Sequence, residues 1–185
     1  MTLDTLVKVG GGVLAQIEVL DAVLAAIADA ARTRRLLVVP GGGPFAEAVR
    51  DVDRRVGLPA DAAHWMAVLA MDQYAHLLAS RLPGSVLVAD LAEVEAAFTS
   101  GHVPVLLPSE WLLDADPLPH TWDVSSDSIA AWIAGVAGAS RLVLVKPAGA
   151  SGAALVDRYF AQAVPPDIAI TIVDAADLAG LRSAL

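Results

Sequence analysis

The stretch Leu6-Val7-Lys8-Val9-Gly10-Gly11-Gly12 decides the fold, because a short apolar run with a single lysine ends in three glycines. An amphipathic pattern follows from Val13 to about Ala31, so we predict a strand, a glycine turn and a helix. The arrangement then repeats, with a second strand over Arg35–Val39, a turn at Gly41, Gly42 and Gly43, and Pro44 at the first position of the next helix. Two successive strands therefore each end in a glycine turn.

Apolar runs and helical periodicity continue to alternate along the chain. Further strands are predicted over Ser85–Ala89, Val103–Leu107, Arg141–Val145 and Ile168–Val173; helices over Asp61–Arg81, Leu91–Ser100, a segment containing Ile129, Ala153–Ala163 and Ala175–Leu185; and a loop over Asp114–His120. The pattern indicates an α/β fold, a three-layer αβα sandwich with a mostly parallel central sheet. We expect residues 1–185 to form a single domain.

Composition excludes several classes of function. The 12 basic and 21 acidic residues give a net charge of −9, which would repel a polyphosphate backbone, so we expect no nucleic-acid partner. Cysteine is absent, which rules out disulfides and thiolate metal sites and fits a cytoplasmic location. The beginning of the chain lacks the pattern of a secretory signal, and the apolar stretch Ser128–Ser140 is too short to span a bilayer. We expect no membrane association.

Polar groups crowd the start of an apolar helix in the stretch Thr121–Ala134. Ser125 or Ser126 is a suitable N-cap, and Asp123 and Asp127 lie beside the positive end of the helix dipole. The stretch could therefore orient a cationic or metal-bound ligand. An equally simple interpretation is that Asp127 only complements the dipole and the serines only cap the helix.

The loops that follow parallel strands meet at one edge of a sheet, where ligands bind. Lys8, both glycine turns, the Asp123–Asp127 segment and Lys146 are all predicted to lie there. Glycine turns let backbone amides approach phosphate, and two turns flanked by two lysines suit phosphoryl transfer between a donor and an acceptor. The first turn does not fit G-x-G-x-x-G and no P-loop occurs, which disfavours a nicotinamide-dependent oxidoreductase.

Three segments resemble the main motifs of the amino acid kinase family: Val7–Gly11, Pro40–Gly43 and Asp123–Ala130. That family includes acetylglutamate kinase, aspartokinase, uridylate kinase and isopentenyl phosphate kinase. The segments Ala63–Ala67 and Ala70–Tyr74 look most like a small branch that acts on (aminomethyl)furanyl-methyl phosphate in the synthesis of methanofuran-type cofactors. The resemblance implies an ATP-dependent kinase for a small-molecule substrate.

The resemblance also implies a role for each site residue. Lys8 would bridge the donor and acceptor phosphates, Asp127 would orient the lysines, and Lys146 would replace a catalytic lysine that relatives carry in a nucleotide lid. The phosphates of ATP would lie on Gly10, Gly11 and Gly12; the acceptor would contact Gly41, Gly42, Gly43, Asp123, Ser125, Ser126 and His64. Mg²⁺ would arrive with ATP, with no metal site of the protein's own, and the alanine-rich helices suit a homo-oligomer.

Several departures from the family pattern leave alternatives open. Gly12 stands where many relatives carry Ser or Thr, and the lid is reduced to the loop after Lys146, which could itself be a solvated lysine. Asp123 replaces an Asn of acetylglutamate kinases, which favours an acceptor that bears an amine. His64 and His76 are too far apart on one helix to share a metal. A non-catalytic nucleotide- or anion-binding protein on the same fold is the alternative.

Overall fold

A computed structural model describes residues 3–150 and 155–185 of the chain. Six parallel strands form one sheet in the order β3-β4-β2-β1-β5-β6. The strands are β1 (Leu3–Val9), β2 (Leu36–Pro40), β3 (Ser85–Val88), β4 (Val103–Leu106), β5 (Ala139–Lys146) and β6 (Ala169–Asp174). The carboxyl ends of β1, β2 and β5 are therefore neighbours at one edge of the sheet.

Helices cover both faces of this sheet, which confirms the predicted αβα architecture. They are α1 (Ile17–Ala31), α2 (Gly43–Val56), α3 (Ala60–Arg81), α4 (Leu91–Thr99), α5 (Pro108–Asp114), α6 (Ser126–Val136), α7 (Phe160–Ala163) and α8 (Leu178–Ala184). One hydrophobic cluster lies between the sheet and α4, α5 and α6; the other lies between the sheet and α1 and α8. Among the described residues, no helix combines the length and apolarity needed to cross a bilayer.

The alternation of side chains along β1 and β5 places two lysines on one face of the sheet. Val7 and Val9 belong to the cluster beneath α1, whereas Leu6 and Leu144 belong to the cluster beneath α6. Because side chains on a strand alternate between faces, Lys8 and Lys146 share the face of Leu6 and Leu144. Both lysines therefore reach the α6 layer at the ligand-binding edge of the sheet.

The two glycine turns touch each other, because β1 and β2 are paired strands. A short 3₁₀ helix, Gly11–Ala15, follows β1, and α2 begins at Gly43 with a positive φ of 57°. A Cβ atom on Gly11 would overlap the backbone nitrogen and Cα of Gly43. Glycine at position 11 thus allows two backbone segments to approach more closely than any side chain permits.

Three local predictions were wrong. Helix α1 begins at Ile17 instead of Val13, because Gln16 is extended and separates it from the 3₁₀ helix. Helix α5 was missed, although Pro108 in its first turn is a sequence signal for a helix start. Within the described residues, the helix predicted over Ala153–Ala163 is only the single turn α7. The part of that prediction before residue 155, and residues 151 and 152 of the loop predicted as a short lid, lie outside the described residues.

Substitution of Gly11 by Ala tests the contact between the turns. We expect Gly11→Ala to lower the free energy of unfolding by about 3 kcal/mol or more. Overpacking typically costs about 1–3 kcal/mol, and here the backbone of Gly43 would have to move. Gly84→Ala is a matched control, since Gly84 has a φ of 71° with open space around it. Its cost should be only the backbone strain of about 1–2 kcal/mol. Equal losses in denaturant unfolding of the two variants would contradict the packing argument.

Candidate active site

One buried carboxylate holds both lysines at the edge of the sheet. The Nζ of Lys8 donates to Oδ1 of Asp127 at 2.7 Å, and the Nζ of Lys146 donates to Oδ2 at 2.6 Å. The exposed fractions of the three residues are only 4%, 9% and 5% for Lys8, Lys146 and Asp127. Lys8 and Lys146 are also the only two lysines of the whole sequence. The structure thus brings together the three residues that were predicted to be catalytic.

The charges of this triad depend on one another. Burial by itself would raise the pKa of Asp127, but the positive charges of Lys8 and Lys146 outweigh it and lower that pKa below its ordinary value. Burial lowers the pKa of Lys146, and the neighbouring charge of Lys8 lowers it further. Asp127 is therefore ionised, and Lys146 loses its proton more readily than a solvated lysine does.

The amino end of α6 is fixed by a carboxylate that sequence reasoning missed. Asp157 accepts hydrogen bonds from the backbone N–H groups of Ser125 and Ser128 at 2.9 and 3.0 Å, and from both hydroxyls. Ser125 is the N-cap, and its hydroxyl accepts from the N–H of Asp127 at 3.3 Å. Asp157 therefore holds the first turn of α6 and, through it, the position of Asp127.

A cavity of about 690 Å³ lies beside the glycine turns. Its wall includes seven of the predicted site residues, Gly11, Gly12, Gly42, Gly43, Ser125, Ser126 and His64. Much of the remaining wall is apolar, with Ala63, Ala67, Val68, Met71 and Ile129 among its members. The cavity thus lies between the two turns and the amino end of α6, where an acceptor was expected.

The charged side of the cavity comes mainly from α2. Glu47, Arg50 and Asp53 line it, and among the described residues Arg50 is the only lysine or arginine on its wall. The guanidinium of Arg50 lies 4.9 Å from the ring centre of Trp122, whose indole N–H donates to Oδ2 of Asp53 at 2.7 Å. The cation–π contact and this hydrogen bond attach the segment before α6 to α2. Opposite charges therefore face the cavity from successive turns of one helix.

Two histidines and an aspartate meet at another part of the cavity wall. The rings of His64 and His120 stack with 3.9 Å between their centres, and both Nε2 atoms approach Oδ2 of Asp116, at 2.9 and 2.8 Å. Burial is the main cause that lowers the pKa of His64, whereas hydrogen bonds to Asp61 and then to Asp116 raise the pKa of His120. His64 was predicted at the cavity, but its partners were not.

Six of the predicted site residues do not line the cavity: the buried triad Lys8, Asp127 and Lys146, and also Gly10, Gly41 and Asp123. The N–H groups of Gly10 and Gly41 donate to the carbonyls of Val145 and Val9, both at 2.8 Å, so neither is free for a phosphate. Asp123 is exposed, with Oδ1 3.4 Å from Arg158, and it does not line the cavity. The predicted contact of Asp123 with an amine on the acceptor therefore has no support in its position.

A parallel αβα sheet with two glycine turns, two lysines and a cavity at its carboxyl edge defines a protein of the phosphate-handling α/β class. The model of the amino acid kinase family matches residues 5–148. The chain belongs to that family, which confirms the resemblance seen in the motifs.

Individual relatives agree with this assignment. The chain is 25% identical over 181 residues to the 5-(aminomethyl)furan-3-ylmethyl phosphate kinase of Methanocaldococcus jannaschii, covering 96% of this chain and 77% of that protein. Uridylate kinase from Archaeoglobus fulgidus superposes with a TM-score of 0.61 at 21% identity, over 78% of this chain and 64% of its own. UMP kinase from Ureaplasma parvum superposes with a TM-score of 0.62 at 16% identity, over 85% of this chain and 71% of that protein. The chain spans less than two thirds of the Archaeoglobus protein's length.

Asp127→Asn tests the buried triad. We expect it to destabilise the fold at neutral pH by about 3–5 kcal/mol, because two buried ammonium groups lose their counterion. The folded pKa of Asp127 lies below its ordinary value of 3.8, so its stabilisation is present above that value and is lost as pH falls through the folded pKa. Denaturant unfolding of both proteins should therefore give a difference that is constant near neutrality and shrinks below pH 3.8. A difference that grew in acid would contradict this assignment.

Proposed function

We propose that the protein transfers a phosphoryl group from ATP to a small-molecule acceptor. The observation that carries the proposal is the convergence of Lys8 and Lys146 on Asp127, next to two glycine turns and a cavity. Phosphoryl transfer needs its groups held in line and its developing charge offset, and little covalent chemistry from the protein. Two cations fixed by a carboxylate supply such an electrostatic site.

In this proposal the phosphates of ATP contact the backbone N–H groups of Gly11 and Gly12. These residues begin the 3₁₀ helix, and N–H groups at the start of a helix have no partner within it. Lys8 contacts the transferring group, and Lys146 contacts the nucleotide phosphates in place of a lysine from a longer lid. Both oxygens of Asp127 accept from lysines, so this carboxylate is not free to bind Mg²⁺ while the two ion pairs stand. Mg²⁺, which offsets phosphate charge when bound, would be held by the nucleotide.

The proposed acceptor carries a phosphate, an amine and a flat apolar body. Arg50 offers a guanidinium for the phosphate, and Glu47 and Asp53 offer carboxylates for the amine. Arg50 and Glu47 contact each other at 2.6 Å, so the ring would lie along the alanine-rich wall beside this pair. The Methanocaldococcus relative is named for an acceptor of this type, (aminomethyl)furanylmethyl phosphate. Such an acceptor would place the protein in the synthesis of methanofuran-type cofactors. Glu47 and Asp53 thus take the role first expected of Asp123.

A non-catalytic nucleotide- or anion-binding protein is the second candidate. The low exposure of Lys8 and Lys146 favours it, because both ammonium groups are already satisfied by Asp127. Gly12 also favours a binding protein, because it lacks the hydroxyl that many relatives carry at this position. This candidate binds ATP without consuming it.

Three further features belong to the proposal. One is a single catalytic domain with a short nucleotide lid after Lys146. Another is a homo-oligomer: Met66 and Leu69 are exposed by 37% and 51% on α3 and would form part of a contact between subunits. The third is a cytoplasmic location, where ATP is available.

Measurement of ADP release tests the function. With Mg-ATP and a panel of acceptors comprising (aminomethyl)furanylmethyl phosphate, UMP, isopentenyl phosphate and acetylglutamate, we expect acceptor-dependent release, greatest with the first. Lys8→Ala should reduce kcat by at least about 100-fold, the cost of removing one group that stabilises the transition state. Arg158→Ala, at an exposed site, should retain full activity.

Circular dichroism and the unfolding midpoint confirm that Lys8→Ala is folded before its activity is interpreted. ATP binding to the wild-type protein without acceptor-dependent ADP release would reject the kinase and support the binding protein. Lack of ATP binding by the wild-type protein would reject both.

Acceptor recognition is tested by Arg50→Ala against Arg54→Ala, one turn further along α2. Arg54 pairs with Asp51 and is 66% exposed, and it does not line the cavity. Loss of a charged hydrogen bond, worth about 1.5–3 kcal/mol, should raise the KM for a phosphorylated acceptor by about 10- to 100-fold in Arg50→Ala and leave the KM for ATP unchanged. A rise in the KM for ATP alone would place Arg50 on the donor side.

A further inference from the structure

The cluster of His64, Asp116 and His120 has the composition and spacing of a metal site. One nitrogen from each histidine and one oxygen from the aspartate all lie within 4.8 Å of one another. His64 comes from the first turns of α3, whereas Asp116 and His120 come from the segment between α5 and α6. Three ligand atoms from two distant parts of the chain therefore lie close together, and a rotation of the stacked rings of His64 and His120 would direct both nitrogens at one ion.

His64 is not satisfied by its protein neighbours. Its side chain is only 6% exposed, and its Nε2 lies 2.9 Å from Oδ2 of Asp116. Nevertheless that nitrogen makes no hydrogen bond of acceptable geometry within the described part of the chain. A buried nitrogen that faces a carboxylate oxygen at this distance without a properly aligned proton is unfavourable. A cation between the two atoms would remove that cost.

His120 is oriented in the manner of a metal ligand. Its Nδ1 lies 2.6 Å from Oδ1 of Asp61, while its Nε2 points to Oδ2 of Asp116. Histidines that bind metal commonly donate the other ring N–H to a carboxylate, which fixes the tautomer and makes the ligating nitrogen more basic. Asp61 thus occupies the position of an outer partner, and an ion would replace the contact that His120 Nε2 now makes with Asp116 Oδ2.

We propose that His64 Nε2, His120 Nε2 and Asp116 Oδ2 bind one divalent transition ion of the Zn²⁺ type at the cavity wall. Two imidazoles and one carboxylate suit zinc, whereas Mg²⁺ prefers oxygen ligands in an octahedron. The ion is distinct from the Mg²⁺ that accompanies ATP. A set of three protein ligands leaves a fourth position for water or for an oxygen of a bound molecule.

The ion would also join two parts of the cavity wall. The segment that carries Asp116 and His120 leads directly to Trp122 and to the N-cap Ser125. A metal bond to His64 attaches this segment to α3, opposite its attachment to α2 through Trp122 and Asp53. Metal binding is therefore expected to raise the unfolding temperature of the whole chain.

The test is metal titration of the purified 185-residue chain after chelator treatment. Calorimetry with Zn²⁺, and the visible absorption of bound Co²⁺, should give one site per chain with tetrahedral character. His64→Ala and His120→Gln should each weaken Zn²⁺ binding by at least 100-fold, and Asp61→Asn by about 10- to 100-fold as an outer partner. His76→Ala is the matched control, because His76 is exposed on the same helix as His64 and should leave binding unchanged.

Circular dichroism of each variant without metal shows whether it is folded. If a histidine variant is unfolded, the Zn²⁺ affinities of Asp61→Asn and Asp116→Asn are compared with that of the wild-type chain instead. Absence of one-to-one Zn²⁺ binding by the wild-type chain, or equal weakening by His76→Ala, overturns the proposal. The readout is binding and does not depend on kinase activity, so a failed metal site and a failed kinase assignment are distinguishable.

Discussion

The ion triad of Lys8, Asp127 and Lys146 is the interaction on which the site depends. Each member comes from a different element, β1, α6 and β5, and all three are almost fully buried. Removing such charges from water costs several kcal/mol per ion, so the triad is tolerated only because each ammonium group has a carboxylate oxygen within hydrogen-bonding distance. The need to satisfy these charges fixes how the first turn of α6 sits on the carboxyl ends of two strands.

The surrounding structure serves to keep Asp127 in place. Asp157 accepts four hydrogen bonds from Ser125 and Ser128, and so satisfies amides of the first turn of α6 that would otherwise lack partners. On the opposite side, the close contact of Gly11 with Gly43 brings the second glycine turn against the first. The helix start and the two turns thus line the cavity, and the triad is buried next to them.

Sequence reasoning located the parts of the site that depend on local rules. The alternation of side chains and the parallel order of strands were enough to bring Lys8 and Lys146 to one edge, and Ser125 could be recognised as a cap. The partners of His64 and of Ser125 could not be found in this way. Asp116, His120 and Asp157 meet them across long separations in sequence, and no local periodicity encodes such a meeting. Asp123 lies outside the cavity wall for a related reason, because a motif fixes sequence position but not the direction in which a side chain points.

The use of lysine in the triad has its own physical logic. The chain carries ten arginines but only these two lysines, and both contact the same carboxylate. Guanidinium is a rigid fork that pairs with a carboxylate through two parallel bonds, and one such group would occupy both oxygens of Asp127. Ammonium is compact, so two of them share the carboxylate, each with donors to spare for a phosphate. Two positive charges against one negative leave a surplus of positive charge at the edge of the sheet. In the proposed kinase this surplus would attract a phosphate chain, and the carboxylate would hold the two cations together when no phosphate is bound.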